Sequence, residues 1–231
     1  MVKINLLTSG GLGDAAMSFA KIHARFSDYL DKIFVTHIRV RDDNLYDTIH
    51  EFYNTQEIKN EVIKVPSWDW QPQNRNKYDF FLGNNWTKEN HNDESSWKIK
   101  SFPQIKYSKI EGIFTLLNPS SGGVKEGTKY FNKKKVEDFL EKHPETILIG
   151  RGNEKNYEDI PNSLYNKTSI SELVNLIASA DTVISPEGFV AYFAGMCGKR
   201  VFVKNDNTEA IYKRKHPDWN MNLVSGVEEI L

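Results

Sequence analysis

The feature that most narrows the fold is an alternation. Short apolar runs able to form buried strands are each followed by a stretch of helical spacing, and the pattern runs twice along the chain. In the first half, residues 3–8, 32–37, 61–65 and 78–82 read as strands, and 14–29 and 44–53 as helices. In the second half, residues 112–117, 146–149, 182–185 and 200–203 read as strands, with 200–203 the last of them. Helices are expected over 132–142, 169–178 and 189–197. Strand and helix in alternation imply crossover connections, hence parallel sheets with helices on their faces. The two runs meet near 107–112, so the expectation is an α/β protein of two Rossmann-like βαβ domains, residues 1–111 and 112–231, with an interdomain cleft. A chain of 231 residues has the length for that division.

Local signals agree with the alternation. Ala16, Phe19, Ala20, His23 and Phe26 fall on one face of the first helix. Ser169 followed by Glu172 is a capping-box pattern. The stretch 67–108 departs from it, being polar and rich in Asn, with Trp68, Trp70, Trp86 and Trp97.

Composition excludes several classes. The formal net charge of −1 gives no bulk field for nucleic acid, although a local basic cleft is compatible with it. Cys197 is the one cysteine, so no intrachain disulfide forms and a reducing compartment is the simple reading. The N-terminal apolar run is broken by glycines and does not read as a signal peptide. No run approaches the ~20 apolar residues of a membrane span. A cytoplasmic location is therefore expected.

The opening run LLTSGGLGDAAMSFAKIHARF carries the first motif. Gly11-Leu-Gly13-Asp-Ala-Ala16 fits G-x-G-x-x-A between strand and helix, the arrangement that lets a pyrophosphate approach a helix N-terminus. An NAD site also needs an acid about twenty residues on. Val35, Thr36 and His37 stand there, followed by Arg39 and Arg41, which disfavours NAD and leaves an NADP-dependent reductase open. Asp14 lies where a cofactor phosphate would sit and would repel it. Two roles remain for it: complementing the helix dipole, or facing the cleft as a general base.

The second half adds three more motifs. In LLNPSSGGVKEGTKYF, hydroxyls of Ser120 and Ser121, backbone N–H groups freed by Gly122 and Gly123, and the Lys125 ammonium make a diphosphate cradle. ILIGRGNE sets Gly150 and Glu154 at a strand end, where open α/β sheets bind ligands. ISPEGFVAYFAGMCGKRVFV sets Glu187 and Gly188 at another, ahead of a helix of small residues.

In their order and spacing these four motifs resemble glycosyltransferase family nine, the ADP-heptose:lipopolysaccharide heptosyltransferases, which have the GT-B fold. The resemblance covers nearly the whole chain and implies a compact, divergent member. It implies that residues 1–111 form the acceptor side and residues 112–231 bind the nucleotide sugar. Asp14 would be the general base on the acceptor hydroxyl. Ser120, Ser121, Gly122, Gly123 and Lys125 would hold the donor diphosphate, and Gly150, Glu154, Glu187 and Gly188 the nucleoside and sugar. Gly11, Gly13, Trp68 and Trp70 would lie on the acceptor side.

The implied activity is inverting transfer from a nucleotide-diphosphate sugar to a saccharide or lipopolysaccharide-like hydroxyl, with no cofactor. Neither D-x-D nor a His/Asp cluster of metal-ligand spacing occurs in the sequence, so metal independence is expected. Two departures from the family stand out: Tyr192 replaces the usual histidine after the acid of the last motif, and the N-terminal half is short.

The tryptophans also admit a DNA acceptor. Rings at Trp68 and Trp70, with Arg75, Lys77, Lys88, Lys98 and Lys100 nearby in sequence, could stack bases and reach phosphates. That alternative is a phage-type glycosyltransferase acting on a hydroxymethylated base of modified DNA in the host cytoplasm. Asp69, Glu89, Asp93 and Glu94 count against it. A reading of another class is a non-catalytic module that binds nucleotide sugars or glycans.

Overall fold

The computed structural model describes residues 1–8, 11–39, 45–64, 80–82, 104–112, 114–121, 130–151, 157–204 and 221–224. The chain divides into two compact units, Met1–Lys106 and Tyr107–Leu231.

In the first unit, β1 (Val2–Thr8), α1 (Leu12–Phe26), a 3-10 turn (Ser27–Lys32), β2 (Ile33–Arg39), α2 (Tyr46–Thr55), β3 (Lys59–Lys64) and β4 (Phe80–Leu82) follow in order. The strands pair in parallel as β3-β2-β1-β4, with Ile4 beside Val35 and Val35 beside Asn60. Ile4, Ile33 and Val35 are buried in this sheet. Helix α1 starts two residues earlier than its periodicity suggests and gives way to the 3-10 turn after Phe26. Its burial extends beyond the expected stripe to Ala15, Met17, Ser18 and Ile22, and alanines at 15, 16 and 20 permit close packing. Phe19, Phe52 and Tyr53 meet edge to face, and the Tyr53 hydroxyl donates to the Ala15 carbonyl at 3.1 Å. This bond ties α2 to α1, and burial raises the Tyr53 phenol well above its ordinary pKa.

The second unit runs β5 (Thr115–Leu117), α3 (Lys133–Lys142), β6 (Ile147–Leu148), α4 (Ile170–Ser179), β7 (Thr182–Pro186), α5 (Phe189–Met196), β8 (Arg200–Lys204) and β9 (Met221–Val224). All pairs are parallel, in the order β6-β5-β7-β8-β9. Leu117, Phe131, Val136, Phe139, Leu148, Tyr157, Tyr165 and Ile184 form its core. Helix α5 buries Phe189, Val190, Ala191, Phe193, Ala194, Gly195 and Met196, which accounts for its apolar and small-residue composition. Asn132 caps α3 by accepting from the Lys134 and Lys135 N–H groups, and Ser169 with Glu172 forms the expected capping box on α4.

One expectation fails in this unit. Residues 200–203 are not the last strand, because β9 adds to the sheet beyond β8. Its four residues, MNLV, include a polar Asn222 and occupy a sheet edge, so they carry little periodic signal.

The strand orders locate the ligand-binding points of the two sheets. Open α/β sheets bind ligands at the carboxyl ends of strands where the order reverses. In the first unit the reversal lies at β1, with β2 on one side and β4 on the other. In the second it lies at β5, between β6 and β7.

Candidate functional site

At the reversal point of the second sheet, two chain segments leave adjacent strands. Asn118 to Ser121 follow β5, and Glu187 and Gly188 follow β7. A buried polar chain fixes the two exits. The Asn118 side-chain amide donates to the Ser185 hydroxyl at 2.9 Å, and that hydroxyl donates to the Pro186 carbonyl at 2.8 Å. The Asn118 N–H donates to the Ile184 carbonyl, extending the ladder one step past β5. In a low-dielectric interior such linked bonds hold polar groups to one geometry. The Asn118 Oδ1 is buried and has no hydrogen-bond partner among the described residues.

The serine loop is pinned at its base. Ser120 pairs with Tyr130 in an antiparallel bridge, and the Phe131 N–H donates to the Pro119 carbonyl at 2.8 Å. Lys204, at the end of β8, donates its ammonium to the Tyr130 carbonyl at 2.8 Å. The Ser120 and Tyr165 hydroxyls are hydrogen-bonded at 3.0 Å. Ser121 lies against Gly188 so closely that a Cβ there would come within 2.9 Å of the Ser121 Cβ. Thus the Ser120–Ser121 segment and the Glu187–Gly188 segment lie side by side, in contact at Ser121 and Gly188.

Gly150 has a different immediate environment. Its φ of +138° is a conformation that favours glycine, and a Cβ would sit 2.6 Å from Asn118 Oδ1 and 2.8 Å from the Tyr165 ring. It therefore packs directly beneath the site. Sequence reading missed Asn118 and Ser185 as supports, the one visible hint being a polar Asn closing the run TLLN. Tyr157 and Tyr165 read from sequence as loop residues that pack locally or line a nucleoside pocket, and both are buried.

Glu187 is held from both sides. Its N–H donates to the Lys204 carbonyl at 3.1 Å, and the Tyr192 hydroxyl donates to its carboxylate at 2.5 Å. Gly188 caps α5, whose first intrahelical bond runs from the Tyr192 N–H to the Gly188 carbonyl. Tyr192 thus orients the acid of its own motif.

In the first unit, the Gly11 carbonyl accepts from the Ala15 N–H, so Gly11 caps α1 and Gly13 lies in its first turn. Asp14 is the third residue of that helix; its side chain is outside the described atoms. A Cβ at Gly11 would meet nothing within 4 Å, so close packing does not explain the glycine. His37 is buried in β2 with its ring 4.1 Å from that of Tyr53, and Thr36 donates to Glu61 at 2.8 Å. The place where a dinucleotide site needs an acid is therefore packed into the unit's interior. His23 accepts from the Gln104 N–H, and burial lowers its pKa, as befits a packed histidine. Burial pushes the Cys197 thiol up to about 12, so it is protonated and inert at neutral pH.

Gly122, Gly123, Lys125, Glu154, Trp68 and Trp70 lie outside the described residues, as do Trp86 and Trp97. Among the described residues, no group of three or more His, Cys, Asp or Glu side chains is placed to hold a metal ion. No helix among them is long and apolar enough to cross a membrane.

Parallel α/β units with polar strand-exit loops at the order reversal define a class of folds that bind ligands at that point. Comparison with solved structures narrows that class to a family fold. The glycosyltransferase family 9 protein of Veillonella parvula matches at a TM-score of 0.58 and 10% identity, over 97% of this chain and 87% of that one. Escherichia coli heptosyltransferase WaaC, solved with ADP-2-deoxy-2-fluoro heptose, matches at 0.58 and 9% identity, over 96% and 93%. Escherichia coli ADP-heptose lipopolysaccharide heptosyltransferase II matches at 0.54 and 9% identity, over 98% and 92%. No protein-family model and no curated protein matches the sequence. The chain has the α/β fold of the heptosyltransferase-like, GT-B glycosyltransferases.

Proposed function

We propose that the protein is a glycosyltransferase that moves a sugar from a nucleotide-diphosphate donor to an acceptor hydroxyl with inversion and without a metal. The observation that carries the reading is the contact of Ser121 with Gly188, which sets the serine loop beside the Glu187–Gly188 segment at the reversal point of the second sheet. Hydroxyls on one of these adjoining segments and a carboxylate on the other suit a ligand with both phosphate oxygens and sugar hydroxyls.

Each group then has a defined task. Ser120 and Ser121, the N–H groups at Gly122 and Gly123, and the Lys125 ammonium bind the diphosphate and stabilise the charge it gains on leaving. Fixed dipoles and one cation supply that stabilisation without a Lewis acid. Glu187, aimed by Tyr192, accepts hydrogen bonds from donor hydroxyls beside Gly188. Gly150 and Glu154 serve the nucleoside side. Asp14 takes the proton from the attacking hydroxyl, with Gly11, Gly13, Trp68 and Trp70 receiving the acceptor. Saccharides or lipopolysaccharide-like glycans are the acceptor class, and ADP-sugars are the first donors to try because WaaC was solved with one. A cytoplasmic reaction is part of this proposal.

The test is a thermal-shift screen of ADP-, UDP-, GDP- and CMP-sugars, with NADP as control, on wild type and Lys125→Ala. A ligand at about 100 times its Kd adds roughly 2.7 kcal/mol, a shift of several degrees. A shift with one nucleotide sugar, lost in Lys125→Ala, supports the reading; a shift with NADP alone overturns it. With donor and acceptor found, Asp14→Ala should abolish transfer while donor binding stays nearly intact, and EDTA should leave the rate unchanged. Full transfer by Asp14→Ala would remove Asp14 as the base.

A further inference from the structure

We infer that Tyr165 is the positioning residue for Ser120: its phenol donates to the serine hydroxyl and turns the serine proton toward an anionic oxygen of the bound diphosphate. The inference rests on the donor reading above and names a group that the motifs do not contain.

The geometry begins with the tyrosine. Tyr165 is fully buried, yet its hydroxyl reaches the partly exposed Ser120 at 3.0 Å. Its backbone is fixed along the edge of β6. The Leu164 N–H donates to the Leu148 carbonyl at 2.8 Å, and the Asn166 N–H to the Gly150 carbonyl at 2.9 Å. Its ring is fixed as well. Tyr157 lies at 5.4 Å between centroids, and Gly150 leaves open the space that any side chain would take from the ring. The phenol oxygen therefore has little freedom, whereas Ser120 is free to rotate its proton.

The direction of the bond follows from acidity. A phenol, with a pKa near 10, is a stronger acid than an aliphatic alcohol and so the stronger donor. With Tyr165 donating, Ser120 keeps its own proton for an outward bond. A chain of donors ending on an anion is polarised along its length, so each bond strengthens the next. In the opposite sense Ser120 would present only lone pairs to a phosphate oxygen and repel it. The sequence separation of 45 residues puts this support beyond any local motif.

The test is a double-mutant cycle on nucleotide binding, read by calorimetry on the full chain with ADP, UDP, GDP and the matching monophosphates. Ser120→Ala should weaken the preferred diphosphate roughly tenfold or more, since it removes a bond to a charged group. Tyr165→Phe, which keeps the ring, should weaken it roughly three- to tenfold. In the Ser120→Ala background, Tyr165→Phe should change affinity less than about twofold, because the relay is already cut. The monophosphate should be affected less by either substitution. Additive losses, or a Tyr165→Phe loss equal for mono- and diphosphate, assign Tyr165 a packing role and overturn the inference while leaving the donor reading intact. Tyr165→Phe with wild-type diphosphate affinity overturns it too. A wild-type chain that binds no nucleotide removes the donor reading itself, and the inference with it.

Discussion

Tyr192 shows how a single side chain can hold the acid of its own motif. The phenol lies one helical turn past Gly188 and donates to the Glu187 carboxylate. Bonds to ionised acceptors are among the stronger hydrogen bonds, at about 1.5–3 kcal/mol. Tyr192→Phe should therefore lower kcat/KM for the donor roughly tenfold, while the melting temperature moves little. Tyr192→His should recover part of the loss, which initial-rate kinetics with a melting control would check. If Tyr192→Phe keeps full kcat/KM, Glu187 is not held for the donor by this bond. At this scale the motif residues were legible because they are contiguous: serines beside glycines, an acid beside a glycine. The bonds that Tyr165 and Asn118 make were not, because they run across the fold. No local pattern encodes a phenol that arrives from the edge of β6.

Elements were legible wherever periodicity and caps agreed. Helix α4 is the clearest case, since Ser169 and Glu172 bond each other's backbone as their spacing predicts. Those bonds, the Ser169 N–H first and its hydroxyl second, hold the Glu172 pKa below its ordinary value of 4.5. A depressed folded-state pKa means that the cap's contribution is complete above about 4.5 and is lost as pH falls through the lowered value. Thermal melts should thus show wild type losing stability more steeply than Glu172→Gln between about pH 5 and 3. Parallel curves would show that the carboxylate adds nothing to the cap. Gly150 makes a second test, where β6 ends against β5. Its positive φ and the 2.6 Å approach of Asn118 Oδ1 leave no place for a methyl group. Gly150→Ala should cost about 3 kcal/mol, seen as a lower denaturation midpoint. A loss under about 0.5 kcal/mol would mean that Asn118 and Tyr165 yield easily. Strand β9 escaped sequence reading for the opposite reason: it is short, polar at one position and supported mainly by β8.

For the whole molecule, strand order is what turns scattered motifs into sites. The alternation of strand and helix implied parallel sheets, but no periodicity reveals that β7 lies beside β5 or that β4 lies beside β1. Those adjacencies put the Ser120 and Glu187 loops at one reversal point and the Gly11 turn at another. Each unit therefore has its own candidate binding point, and they make different claims about nucleotides. The dinucleotide reading uses the first, where Gly11 caps α1. The donor reading uses the second. Hydrogen exchange on the intact chain separates them. With a saturating nucleotide sugar, protection should rise in peptides covering Asn118–Ser121 and Glu187–Tyr192, while α1 and β2 exchange as in the free protein. The physical reason is local: a ligand that bonds Ser120 and Glu187 must leave before those backbones open, so it raises the cost of only the openings that release it. Protection confined to the β1–α1 turn, with NADP the most effective ligand, would transfer nucleotide binding to the first unit and end the glycosyltransferase reading.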